Sequence, residues 1–308
     1  MLRPAAPVVR KTITLLLLFL ASSLRAASAQ EPIASYPPLP TGYVSIKVFD
    51  SRGLFVGRLL PEKRYWVSID RIPAFLQKAV VAVEDARFYE HGGIDVRGIA
   101  RALMKDAMSG RLAEGGSTIT QQLIKNKYLT MEKTLDRKLE EARLAIEFEK
   151  KYSKRQILEM YLNEIYYGNG AWGIAQAARL YFDKTPEELT DAECSLLAGV
   201  PKSPATYNPL GKPANVTRRR DVVLKRMADL GIISKTQQQS LRDHPPAVLR
   251  ANQAPYYLAH VRSKLIERYG PTVLEEGGLE VTAALDLKLQ KQAETVMQEG
   301  VRKLSPDL

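Results

Sequence analysis

Between residues 72 and 270 apolar side chains return every three to four positions, segment after segment, a period that only packed α-helices satisfy. Leu76, Ala79, Val80 and Val83 share one face of a helix running into Glu84, and Leu135, Leu139, Ala142 and Ile146 form a stripe on a later one. The punctuation agrees. Ser153 with Gln156, Thr190 with Glu193 and Ser234 with Gln237 each match a reciprocal N-terminal cap, and Gly231 is a natural stop after Leu230. Pro201, Pro204 and Pro209 break the chain into a loop before a basic helix that begins near Thr217. Strand signals are confined to the ends: Val44, Ile46 and Val48 alternate, Asp50 to Gly53 make a turn, and Leu54 and Val56 resume, which reads as a β-hairpin. Leu279 to Thr282, after Gly277-Gly278, is a second short strand. A mainly α-helical body of roughly 200 residues follows from length and pattern together.

Composition narrows the class of partner. Hydrophobic residues make up 45% of the chain, which excludes general disorder. Lys and Arg number 45 against 34 acids, a net +11, which favours an anionic partner: nucleic acid, a membrane surface or a phosphorylated substrate. Aromatic residues at 7% give no stacking pattern, which argues against nucleic acid. One cysteine cannot close an internal disulfide, and with three scattered histidines it cannot build a closed zinc site. Cys194 lies in the apolar run Ala192 to Val200 and reads as a buried small hydrophobe. At the N-terminus Arg3, Arg10 and Lys11 precede an apolar run from Thr12 to Leu24 and a small-residue cleavage pattern at Ala27-Ser28-Ala29. This reads as a signal peptide or an uncleaved anchor, either of which places the remainder outside the cytoplasm; the alternative is an ordinary N-terminal helix of a cytoplasmic protein.

Three clusters carry chemistry. Glu84 and Asp85 end an apolar helix, with Phe88 and His91 three and six positions later; a carboxylate at such a boundary can sit in a cleft as a general base. Gly115-Gly116 leads into Ser117 as N-cap of a helix whose first N–H groups point outward, a terminus suited to phosphate. Thr118, Gln121 and Gln122 add polar groups there, and Lys125 with Asn126 follows. Arg137 and Lys138 crowd Glu141 on one helix face, in the orientation that is poorer for helix stability, and a cationic pair beside an acid is what a departing pyrophosphate requires. Alone, each cluster has a plain alternative: a solvated helix end, a flexible turn before a polar helix, a local surface ion pair.

In order and spacing these motifs resemble the signature of family-51 peptidoglycan glycosyltransferases, the N-terminal module of class A penicillin-binding proteins. The resemblance rests on Glu84 to Gly93, on Gly116 to Gln122 with Lys125-Asn126, on Arg137-Lys138 with Glu141, on Lys154 with Ile157 to Asn163, and on Arg219 to Leu224. Ala198 to Pro204 and Tyr207 to Pro209 are also similar, so that the likeness covers roughly residues 43 to 290.

The resemblance implies a lysozyme-like, two-lobed helical domain with a small β-hairpin and linker sheet at its ends. It implies residues 1–30 as signal peptide or anchor, 31–60 as linker and hairpin, 61–245 as the glycosyltransferase domain, and 246–308 as a connector toward a transpeptidase domain. Ser-x-x-Lys and Lys-Thr-Gly do not occur in this chain, so penicillin binding by it is not expected. Lipid II and the growing glycan strand are the implied substrates and the membrane an implied partner, with other cell-wall synthesis proteins beside it; nucleic acid is not. Glu84 is the implied base and Glu141 a second catalytic group. Asp85, Phe88, His91, Ser117, Thr118, Gln121, Gln122, Lys125, Asn126, Arg137 and Lys138 are the implied substrate-binding set. Glu159 and Asn163 brace the fold. No organic cofactor is required, and Glu141 organises the cations or binds a divalent ion such as magnesium or manganese. A basic amphipathic stretch from Ile99 to Leu112, and Tyr128, Leu129 and Met131, are candidates for dipping into lipid. The rival readings are a lysozyme-like hydrolase, which the pyrophosphate-type cations oppose, and a non-enzymatic binder of anionic polymer, which leaves the Glu84 cluster without a purpose.

Overall fold

The computed structural model describes residues 36–39, 45–60, 64–101, 116–128, 134–249 and 252–304. The N-terminal segment, most of the stretch from Ile99 to Leu112, and Leu129 and Met131 therefore lie outside the described residues. Two strands open the fold, β1 (Ile46–Phe49) and β2 (Phe55–Leu59). The helical body follows: α1 (Ala74–Glu84), α2 (Ile119–Tyr128), α3 (Leu135–Lys151), α4 (Lys154–Glu164), α5 (Gly173–Phe182), α6 (Asp191–Leu197), α7 (Pro204–Tyr207), α8 (Pro213–Asp229) and α9 (Lys235–Asp243). The chain closes with α10 (Pro255–Tyr269), α11 (Val273–Glu276), β3 (Glu280–Thr282) and α12 (Leu287–Leu304). A helix also starts at 96 and runs to 101, the last residue described before 116. Among the described residues no helix is long and apolar enough to cross a membrane.

The architecture is mainly α, as the apolar period demands. Leu76, Ala79 and Val80 on α1 are fully buried and pack with Leu158, Tyr161 and Leu162 of α4, Ala178 of α5, Leu197 of α6 and Leu224 of α8 in one continuous core. Burying a Leu or Val contributes roughly 1.5–3 kcal/mol, so this core fixes where α1 ends and hence where Glu84 stands. Caps at Ser153 and Thr190 are reciprocal as expected, whereas at Ser234 the hydroxyl accepts from the Gln237 N–H. Cys194 is buried in α6.

Three details differ from the pattern read in the sequence. Leu139 on α3 is 44% exposed, while Glu141 and Ala145 turn inward instead. The apolar stripe on α3 thus misidentified its inner face, because an ion-paired glutamate is buried there. The proline segment is not a plain loop: Pro204 starts the short helix α7, and α8 begins at Pro213, where the ring's fixed φ suits a first helical turn.

The hairpin and the C-terminal segment form one unit. β1 pairs antiparallel with β2 and parallel with β3, giving the order β2-β1-β3. Ile46 and Val48 point inward and meet Leu258, Val261 and Leu265 of α10 and Leu274 of α11 in a second apolar cluster. At the hairpin turn Gly53 has φ +78°, and the buried Asp50 accepts from the N–H groups of Arg52 and Leu54, both at 2.8 Å.

Candidate active site

Glu84 is the last residue of α1, and its side chain is only 7% exposed. Its Oε1 accepts from Arg219 Nη2 at 2.8 Å and its Oε2 from Gln122 Nε2 at 3.1 Å. Each oxygen accepts one hydrogen bond and keeps a lone pair for an incoming proton. Arg219 is itself fixed, since its Nε donates to the Gly199 carbonyl at 3.0 Å and its guanidinium lies 5.8 Å from the Tyr207 ring. Gln122 is oriented by Tyr161, whose hydroxyl donates to Gln122 Oε1 at 3.0 Å. Burial, then the neighbouring Glu84 charge, push the Tyr161 phenol well above its usual pKa, so the donor keeps its proton.

Asp85 serves the frame. Its carboxylate faces His91 Nε2 at 3.0 and 3.1 Å and accepts the Ile119 N–H at 3.0 Å, tying the end of α1 to the start of α2. His91 Nδ1 is 3.9 Å from Glu149, which also accepts from Thr120 Oγ1 at 2.5 Å and pairs with Lys154 at 2.6 Å. Phe88 is fully buried, with the Lys154 ammonium 4.5 Å from its ring centroid. Gly93 has φ +90°, and a Cβ there would lie 2.7 Å from the Ala145 backbone; only glycine lets α3 approach this closely.

The start of α2 also differs from the sequence reading. Thr118, not Ser117, caps it: Thr118 Oγ1 accepts from the Gln121 N–H at 3.1 Å while Gln121 Oε1 accepts from the Thr118 N–H at 3.0 Å. The Thr118 hydroxyl donates to the Gly93 carbonyl at 2.6 Å. Thr118 and Gln121 are thus buried and occupied, as Phe88 is, and have almost no surface to offer a ligand; they position α2. Ser117 is free to take another role, and its Oγ accepts from Lys138 Nζ at 2.8 Å.

Lys138 and Arg137, on the first turn of α3, both pair with Glu141, Arg137 at 3.0 Å. Glu141 is 2% exposed with both carboxylate oxygens occupied, so it stands behind the two cations and orients them rather than facing a ligand. Lys125 and Asn126 are exposed near the end of α2, and among the described residues Lys125 has no hydrogen-bond or ion-pair partner. Gln122 and Lys125 are three apart and share a helix face, roughly 5–6 Å between Cβ atoms. Ser117 lies just before the Thr118 cap, at the opposite end of α2 from Lys125. One helix therefore carries the partner of the acid at its middle, with unneutralised or exposed cationic groups on both sides.

Among the described residues no three His, Cys, Asp or Glu side chains converge to hold a metal ion. Glu141 has each oxygen paired with a cation, Arg137 or Lys138. Glu159 accepts from Trp66 Nε1 at 2.7 Å and the Ile69 N–H at 2.9 Å, and Asn163 exchanges hydrogen bonds with the Val67 backbone, so both brace the segment leading into α1. The functional residue that sequence reasoning left without a role is Arg219; its presence in the fifth motif was the available signal.

The span holding this arrangement is also the span that known proteins share. The transglycosylase family model matches residues 52–228, more than half of the chain. The chain is 42% identical to penicillin-binding protein 1A of Aquifex aeolicus over 84% of its own length and 36% of that protein's. Identity is 42% to penicillin-binding protein 1F of Bacillus subtilis (84% and 37%) and 39% to penicillin-binding protein 1A of Escherichia coli (84% and 31%). The chain thus spans about a third of the length of these curated relatives. Among solved structures it is similar to penicillin-binding protein 1A from Haemophilus influenzae, with a TM-score of 0.42 and 24% identity over 75% of this chain and 25% of that one. Glu84, Gln122, Lys125, Arg137, Lys138 and Arg219 all fall inside the matched residues, and the chain belongs to the transglycosylase family, as the glycosyltransferase module of a class A penicillin-binding protein.

Proposed function

We propose that the chain polymerises lipid II into β-1,4 glycan by inverting transfer, releasing undecaprenyl pyrophosphate. The observation that carries this reading is the connection of Glu84 through Gln122 to a helix that also bears Lys125 and, through Ser117, meets Lys138. α2 thus links the base at the end of α1 to the cations of α3 and carries Lys125 itself.

The steps follow from the charges. Glu84 takes the proton from the 4-hydroxyl of the acceptor GlcNAc as that oxygen attacks the anomeric carbon of the donor MurNAc. The bond from this carbon to the pyrophosphate oxygen breaks, and the electron pair leaves with the pyrophosphate. Lys125, Arg137 and Lys138 neutralise the charge that develops there, which is electrostatic stabilisation at the leaving group. A single displacement converts an α-linked donor to a β-linked product. Glu141 keeps the two α3 cations aimed. The segment at residues 1–30 anchors or exports the chain, and the body works on the extracytoplasmic face of the membrane, where lipid II is met and other cell-wall synthesis proteins are the natural partners.

A hydrolase cleaving a glycosidic bond has no pyrophosphate to neutralise and leaves Lys125, Arg137 and Lys138 without a purpose. The test is incubation of the purified chain with lipid II in detergent. Glycan polymer with β linkages and free undecaprenyl pyrophosphate, blocked by moenomycin, is expected. Fragments released from cell wall without consumption of lipid II would overturn the reading.

A further inference from the structure

The helical body and the sheet unit enclose an open cleft of about 370 Å³ that shares no residue with the Glu84 site. This lies within the range of about 300–1,000 Å³ usual for small-ligand sites. Arg58 of β2, Arg64 beyond it, Trp172 just before α5 and Arg262 of α10 line it together with Asn169 and Asn252, and most of the remaining wall is leucine and alanine. Among the described residues every charged group on the lining is an arginine.

The carboxylates behind the lining are shared. Asp183 lies 3.6 Å from Arg58 and 3.2 Å from Arg179, and Glu164 pairs with Arg64 at 3.2 Å and with Lys127 at 2.8 Å. Neither Arg58 nor Arg64 has an acid to itself. Arg58 Nε is buried 3.6 Å from Asp183 Oδ2, too long for a hydrogen bond, so the shared acid holds this guanidinium only loosely. Burial presses the Arg58 pKa below its ordinary value, with Asp183 opposing. The guanidinium of Arg64 stands 4.6 Å from the centroid of the Trp172 ring, which is 37% exposed.

The walls are fixed before anything binds. Asn252 accepts the Arg58 N–H at 2.9 Å and donates to the Arg58 carbonyl at 3.2 Å. Asn169, with φ +50°, donates to the Tyr181 hydroxyl at 3.2 Å and to Asn208 at 2.9 Å. Such preorganisation spares a ligand the entropy of ordering its site.

We propose that this cleft binds an acidic peptide segment, with carboxylates on the arginines and the peptide body against Trp172 and the leucine wall. A bare phosphate would satisfy the arginines but leave the apolar wall uncovered, so the shape of the lining favours the peptide. The proposal stands apart from the glycosyl-transfer reading, because none of its residues belongs to that machinery.

Titration of the full chain in detergent with N-acetyl-glutamyl-glutamate, followed by ligand-observed NMR, tests it. Saturable binding is expected, with the uncharged glutaminyl-glutamine diamide and inorganic phosphate each at least about tenfold weaker, as charge-assisted hydrogen bonds and apolar contact together require. Arg58→Gln should weaken binding about tenfold. Asp183→Asn keeps the shape and the left-handed backbone yet releases Arg58, and should tighten binding about threefold. Trp172→Ala should weaken binding while lipid II turnover is unchanged. Should Arg58→Gln fail to fold, Asp183→Asn and Trp172→Ala decide the matter. Absence of saturation, phosphate binding as tightly as the dipeptide, or Asp183→Asn and Trp172→Ala both binding as the unaltered chain does, would overturn the proposal.

Discussion

Three consecutive arginines on α8 meet three environments. Arg218 is exposed and donates to Asn215, Arg219 reaches Glu84, and Arg220 is buried and donates to Ser195 Oγ at 2.9 Å. A helix turns about 100° per residue, so adjacent residues cannot share a face, and a charge run read as a solvated surface hides one functional and one core cation. Arg219→Gln removes the ion pair that holds Glu84 while leaving a hydrogen-bonding group. We expect kcat to fall about tenfold or more with KM for lipid II little changed, the loss of a charged hydrogen bond being about 1.5–3 kcal/mol. Arg219→Lys should recover part of kcat; a change confined to KM would contradict the role. Cys194 was legible from its apolar run alone. Burial, with smaller contributions from Asp191 and Glu193, pushes its thiol up to about 12. It should therefore resist a thiol reagent at pH 8 in the folded chain and react at once in denaturant. Because the folded pKa is raised above that of an exposed thiol, its contribution to stability is complete below about pH 9 and lost as pH rises toward 12. Rapid labelling of the native chain would contradict this.

At the scale of the element, α2 is the part on which the site depends. The sequence marked its polar face correctly, since Thr118, Gln121, Gln122 and Lys125 recur at helical spacing. It did not distinguish the residues that hold the helix from those that face outward, because a hydroxyl and a carboxamide serve a cap and a ligand equally well. Tertiary contact decides: Thr118 is beneath Gly93 and Ser117 is beneath Lys138. Thr118→Ala should lower stability by about 1–2 kcal/mol in denaturant unfolding, the usual cost of a lost cap oxygen. Ser117→Ala should leave stability unchanged. Equal effects would contradict the assignment of the cap. The misread inner face of α3 has the same origin, as a glutamate buried by two cations breaks the apolar code that the period assumes.

At the scale of the molecule, the mainly helical architecture was legible throughout, and the sheet only in part. The two strand signals at residues 46–59 and 280–282 were each visible, yet their parallel pairing was not, because register between segments more than 200 residues apart depends on the body that separates them. Ile46, Val48, Val56 and Leu59 are covered by the C-terminal segment. Removing residues 252–304 should therefore lower the melting temperature and expose apolar surface to dye, although every site residue remains; several side chains at roughly 1.5–3 kcal/mol each are uncovered. An unchanged melting temperature would show that the sheet unit contributes nothing to the body. Gln122 of α2 holds Glu84, while Lys125 on the same helix and Lys138 at its start supply the cations, and this division of labour is the central claim. It is tested most directly by measuring lipid II turnover and lipid-pyrophosphate affinity together in Glu84→Gln. Turnover should fall by about 10²–10⁴, the contribution of a general base, with affinity unaltered. Polymer formed at the rate of the unaltered chain would contradict the account.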